Sequence, residues 1–198
     1  MSKQRLIVFH TESIHLRGGE KYLFELLKRL AKKYDIVFYT ERISPYWRLN
    51  FVKNAISVKT LWRPSHLYWP LLPITLTINY LMLKRKIIPD DIILSTNFPV
   101  NLLSVLLSRK TLCHCFEPMV IFYDPIRIDT LSLKSRLFVK TAKLLYSWLD
   151  KYAINHSHYL TTLNHAVEKY ILAVHGRKPD AFIPNGIDAK RFVPKKST

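Results

Sequence analysis

Seven short apolar runs recur along the chain, most of them separated from the next by a longer stretch that includes helical patterning. This alternation limits the available folds more than any other feature. The runs are Leu6–Phe9, Asp35–Tyr39, Ile56–Lys59, Ile92–Leu94, Thr111–Phe116, His158–Thr161 and Ala181–Ile183. Several are continuously apolar, as strands covered on both faces are. Between them, Gly18-Gly19-Glu20 opens a helix with Leu23, Leu26, Leu27 and Leu30 on one side. Lys28, Arg29, Lys32 and Lys33 gather at its C-terminal end, where the helix dipole favours cations. A helix is expected from Thr96-Asn97-Phe98-Pro99 to about Ser108, and a long one from about Ser132 to Ala153 with Phe138, Ala142, Leu145 and Leu149 turned inward. Asn164 caps a helix reaching about Val174, and Gly176 ends it. The expected fold class is α/β, a Rossmann-like doubly wound parallel sheet with right-handed crossovers.

Net charge adds a second constraint. Lys and Arg number 31 against 14 Asp and Glu, a formal charge of +17. An excess of this size points to an anionic partner, such as nucleic acid, acidic lipid or a phosphorylated substrate. The plainer reading is that long basic side chains solvate the helices. Aromatic residues form no recognisable RNA-binding motif, and neither helix-turn-helix nor zinc spacing is present, which argues against nucleic acid. Cys113 and Cys115 supply no disulfide framework, and Cys113-His114-Cys115 is short of a metal site, so both read as small buried hydrophobes and no metal is expected. The first residues lack a secretory-leader pattern, which sets the expectation of a cytoplasmic protein. Leu67–Leu83 is apolar, but Pro70, Pro73 and Asn79 interrupt it, so a buried or interfacial helix is expected rather than a membrane span.

In doubly wound folds ligands bind at the carboxyl ends of the strands. Gly18-Gly19, after the first strand, reads either as an anion-binding turn or as a plain tight turn. Its spacing is neither the dinucleotide fingerprint nor a Walker A motif. Glu117, after the fifth strand, can orient a hydroxyl or act as a general base, or it can cap a helix. His114 reads either as a site-lining group or as a satisfied strand histidine. His10 and Glu12 end the first strand, and Asn97 follows the fourth, on the same expected rim. Pro184-Asn185-Gly186 has tight-turn chemistry, Asp188 is a candidate N-cap for a turn carrying Phe192, and Pro194 stops it.

Four of these segments resemble family 4 glycosyltransferases. Pro184-Asn185-Gly186-Ile187-Asp188 through Arg191-Phe192-Val193-Pro194 is similar to the junction between the two domains of that family. Arg17-Gly18-Gly19-Glu20 resembles the glycine element at its first helix. Asp150–Asn164 is similar to the stretch before the last helix of its N-terminal domain, with His158 for Asp and Asn164 for Ser. Phe116-Glu117-Pro118 looks like its His-Glu-Pro, with Phe116 in place of His and His114 two positions earlier.

The resemblance implies the N-terminal half of a GT-B fold: residues 1–183 as the acceptor-side domain, and 184–198 as a linker hinged at Asn185 and Gly186. The implied reaction is retaining transfer of a hexosyl unit from a nucleotide-sugar to a hydroxyl acceptor, without a cofactor. Glu117 and His114 are the catalytic candidates, and Gly18, Gly19, Glu12, His10 and Asn97 the substrate-binding ones. A C-terminal donor-binding domain, supplied elsewhere, would be needed for activity. The basic charge extends the expectation to a lipid-linked acceptor and to peripheral contact with the inner face of an anionic membrane. Helices near Tyr22–Lys33 and Leu133–Lys151 are candidate contacts, with Tyr146 and Trp148 as anchors. The alternative is a non-catalytic basic module that holds a polyanion or a partner subunit.

Overall fold

The computed structural model describes residues 3–64, 67–108 and 110–185. Gly186, and with it Asp188 to Pro194, therefore lie outside the described residues. The element order is β1 Gln4–Ser13, α1 Gly18–Leu30, β2 Tyr34–Ile43, α2 Pro45–Lys53, β3 Ile56–Thr60, α3 Leu72–Lys84, β4 Ile92–Ser95, α4 Val100–Leu107 and β5 Thr111–Cys115. Then come α5 Val120–Tyr123, α6 Pro125–Asp129, α7 Leu133–His156, β6 Tyr159–Thr162, α8 His165–His175 and β7 Ala181–Phe182. All pairings are parallel, in the order β3-β2-β1-β4-β5-β6-β7. The chain winds outward from β1 to β3, then returns to β4 on the other side. The expected Rossmann-like doubly wound sheet is present.

β1 shows why the apolar runs are continuous. Leu6 and Val8 pack with Leu23 and Leu27 of α1 and with Trp47 and Phe51 of α2. Ile7 and Phe9 point the other way, onto Leu83 of α3 and Val100 and Leu103 of α4. Each successive side chain meets a different helical layer, so neither parity of the strand can be polar. Burial of this kind contributes roughly 25 cal/mol per Å² of apolar surface removed from water.

α3 explains the interrupted apolar stretch. It starts at Leu72, and its buried residues are Leu72, Thr75, Asn79 and Leu83. Asn79 accepts from the Trp62 backbone N–H at 2.8 Å and donates to the Trp62 carbonyl at 2.9 Å, so the polar residue latches the segment after β3 onto the helix. Among the described residues no helix is long and apolar enough to cross a membrane.

The long helix required a correction. Its buried residues are Val139, Ala142, Tyr146, Asp150, Ala153 and Ile154, while Phe138 and Leu145 are exposed. α7 is apolar on several sides, so periodicity alone did not choose the inward one. Tyr146, expected as a surface anchor, is in the core and donates its hydroxyl to the Trp69 carbonyl at 2.8 Å. The α8 caps agree with the sequence. Asn164 accepts from the Ala166 and Val167 N–H groups at 3.0 Å, and Gly176 adopts φ 73°, where a side chain is disfavoured. Asn164→Ala should lower the unfolding free energy by ~1 kcal/mol in a urea titration while leaving the denaturant slope unchanged.

Candidate functional site

Because every strand is parallel, their carboxyl ends share one edge, and the direction of winding reverses between β1 and β4. Ligands of doubly wound sheets occupy this switch point. Here the Nδ1 of His10 lies 2.8 Å from the Thr96 hydroxyl, and the Thr96 N–H donates to the Phe9 carbonyl at 3.2 Å. The two loops are thereby joined across the crevice. His10 is buried, and its Nε2 has no partner among the described residues. Burial lowers the imidazole pKa to about 4, so it is neutral at pH 7.

Asn97 and Glu117, from the ends of β4 and β5, line one small cleft with Cys115, Asn101, Asp150 and His175. Glu117 is exposed, and Asn97 is half-buried, its Oδ1 buried and without a partner among the described residues. Below them the cleft leaves about 10 Å³ for a water-sized molecule, room for a single water. Its floor is polar: the Oδ2 of Asp150 stands 3.8 Å from Nε2 of His175, and both side-chain polar atoms of Asn101 are buried without partners among the described residues. Burial pushes the Asp150 carboxyl up to about 7, against Tyr123, which holds it down, and burial lowers His175 to about 4. A neutral imidazole facing a carboxyl that is itself held toward neutrality avoids an isolated buried charge.

Glu12 lies in a different network. Arg63 bonds to Glu12 and stands 3.3 Å from Oε2 of Glu41, and Arg42 reaches Glu12 at 3.8 Å. Tyr68 donates to Glu41 at 2.7 Å and carries the Arg63 guanidinium 4.1 Å above its ring. Burial pushes Glu41 up to about 7. Glu12 is therefore engaged by two arginines at the β1–β2 end of the rim.

His114 is fully buried within β5, on the face that packs against α1. Its Nδ1 is 2.9 Å from the Thr161 hydroxyl, Tyr22 stacks on it at 5.4 Å between centroids, and Phe116 meets it edge-on at 4.9 Å. Burial lowers its pKa to about 4. The structure thus sets His114 behind Tyr22 and Phe116, whereas Glu117 is exposed at the mouth of the cleft. Cys113 and Cys115 are free, buried, and on the opposite face with Ile154 and Ile171.

Gly18 and Gly19 begin α1 after an extended Arg17. A Cβ added at either would meet nothing within 4 Å, so the protein's own packing does not demand glycine there. Both glycines are exposed, and the first N–H groups of a helix have no intrahelical acceptor. Asn185, the described half of the expected hinge, is exposed beyond β7, and Tyr22 donates to the Ile183 carbonyl at 3.1 Å, tying α1 to that segment.

The fold is shared with a known protein. The N-terminal domain of trehalose-6-phosphate phosphatase from Candida albicans matches 96% of this chain and 50% of its own, with a TM-score of 0.55 and 13% sequence identity. At that identity the likeness is one of fold. The chain spans about half the length of that solved chain. No family model and no curated protein matches the sequence.

Sequence reasoning had not singled out Thr96, Asn101, Tyr123 or His175 as site residues, nor the Glu41–Arg63–Tyr68 cluster. One signal was readable: Asp150 falls on the same helical side as Ala142, Tyr146 and Ala153. The histidine shifts give a pH dependence. His10 and His114 are neutral in the fold down to about pH 4 but charge near pH 6.5 when unfolded. Their stabilising contribution is complete above pH 6.5 and is lost as pH falls from there toward 4. Asp150 and Glu41, raised to about 7, act oppositely, and their share is lost as pH rises from the ordinary carboxylate range through 7. Imidazole NMR titrations should place His10 and His114 near pH 4, and His114→Phe should flatten its share of the stability slope between pH 4 and 6.5.

Proposed function

We propose that this chain is the acceptor-binding domain of a retaining glycosyltransferase that moves a hexosyl unit from a nucleotide-sugar to a hydroxyl acceptor. The observation that carries the reading is the placement of Glu117 and Asn97 on one cleft beside the β1–β4 switch point, on the same strand edge that leads into the open Gly18-Gly19 turn. The resemblance of the glycine turn and of Phe116-Glu117-Pro118 to family 4 glycosyltransferases supports it.

In this reading Glu117 accepts a hydrogen bond from the acceptor hydroxyl, and the Asn97 amide fixes a neighbouring hydroxyl. Glu117 is exposed, as a group that must meet a diffusing substrate is, and Asn97 is half-buried beside it. As the glycosidic bond to the donor breaks, negative charge grows on the departing diphosphate. The free N–H groups of Gly18 and Gly19 and the positive end of α1 stabilise that charge. His10 is neutral, bonded to Thr96 and buried, so it shapes the crevice and moves no proton. The donor-side domain of the family would supply the remaining phosphate contacts and close over the rim.

The chain by itself is expected to bind nucleotide-sugars weakly and to turn them over little. Titrating it with UDP-, GDP- and ADP-hexoses should shift amide resonances at Gly18, Gly19 and around Glu117. Micromolar affinity together with transfer by this chain alone would contradict the assignment. With a donor-side domain present, Glu117→Gln should reduce kcat by ~10²-fold or more, the usual scale of a lost acid–base group. Gly19→Ala should keep or slightly raise the melting temperature, because alanine is the better helix former, while it blocks the diphosphate. A Gly19→Ala protein that binds nucleotide-sugar as well as wild type would remove the glycine turn from the mechanism.

A further inference from the structure

The face that α7 leaves in solvent has no role in the rim chemistry. Leu133, Leu137, Leu144 and Trp148 are 82%, 67%, 79% and 63% exposed. At 3.6 residues per turn they fall within roughly 60° of one another. They lie opposite the side that carries the buried Val139, Ala142, Tyr146 and Ala153. From Leu133 to Trp148 this stripe runs ~23 Å along the surface of the 24-residue helix. An outward apolar ridge of that length is unusual on a protein surface and marks an interaction site.

Charge identifies the partner. α7 carries Lys134, Arg136, Lys140, Lys143 and Lys151, and its one carboxylate, Asp150, is buried. Arg136 pairs with Asp129 at 3.7 Å, whereas the four lysines make no ion pair among the described residues. A ridge of leucine and tryptophan flanked by lysines, with no exposed acid on the helix, is the composition of a helix lying in the plane of a bilayer. The leucines and Trp148 enter the acyl boundary, and the lysines reach the headgroups. A second copy of this chain fits poorly, because two such faces would set lysine against lysine.

We propose that the outer face of α7 docks on an anionic phospholipid bilayer, with Leu133, Leu137, Leu144 and Trp148 inserted and Lys134, Lys140, Lys143 and Lys151 on the headgroups. The proposal is independent of the hexosyl-transfer reading, since vesicle binding is measured without substrate.

The test is flotation with phosphatidylcholine vesicles and with vesicles enriched in phosphatidylglycerol, at low and high salt. Binding should require the anionic lipid and weaken with salt. Lys140→Gln with Lys143→Gln should lower partitioning roughly 30-fold, and Leu144→Ser with Trp148→Ser should abolish it. Brominated lipid should quench the fluorescence of wild type more than that of Trp148→Phe, a readout that needs no disruptive variant. Absence of binding at low salt, equal binding to neutral vesicles, or quenching unchanged by Trp148→Phe would overturn the proposal. So would a concentration-dependent dimer that Leu144→Ser with Trp148→Ser dissolves, which would assign the ridge to a second copy.

Discussion

The central strand sets the terms for everything else. β1 is hydrogen-bonded to a parallel neighbour on each side and covered by helices on both faces. A strand held this way must be apolar at every position along its middle, and its polar groups can only appear where it leaves the sheet. Its end, from His10 to Ser13, where pairing with β4 has stopped and only β2 remains alongside, is therefore where its polar groups gather. The same holds for β4 and β5, whose exits carry Thr96, Asn97 and Glu117. One parallel sheet thus converts sequence-distant loop residues into neighbours on a single edge.

That edge is not uniform. At the β2 end, Glu12 and Glu41 share Arg63, with Arg42 also on Glu12, and burial pushes Glu41 toward neutrality. At the β5 end, Asp150 and His175 face each other deep in the protein without an ordinary hydrogen bond. Between them, His10 and Thr96 join the loops. Burying polar groups at this density costs free energy wherever hydrogen bonds stay open. A rim built only for stability would be more apolar, and the concentration of such groups beside a cleft is a mark of functional sites.

Much of the fold was legible from the chain. Continuous apolar runs signalled strands with two covered faces, and Asn164 and Gly176 bounded α8 through local chemistry that needs no tertiary partner. The less legible parts share one cause. α7 is apolar on more than one side, so its period gave no unique inward direction, and Phe138 and Leu145 were expected where Val139 and Tyr146 in fact pack. The direction is chosen by contacts from remote segments: Trp69 accepting from Tyr146, and Phe122 and Phe98 filling the same cluster. His175 and Asn101 gave no local signal, because each reads as an ordinary helix residue until the other helices enclose it.

The sequence by itself determined the class of fold and the edge on which a site must lie, because strand burial, helix caps and glycine turns are properties of short segments. It also placed Glu117, Asn97 and the Gly18-Gly19 turn at strand exits. Only the tertiary structure decided which of these residues share a cleft. It placed His114 behind Tyr22 and Phe116, engaged Glu12 with arginines, and turned a ridge of leucines and Trp148 toward solvent. Those outcomes depend on side chains far apart in the chain competing for the same space, and a competition of that kind is resolved only when the layers pack.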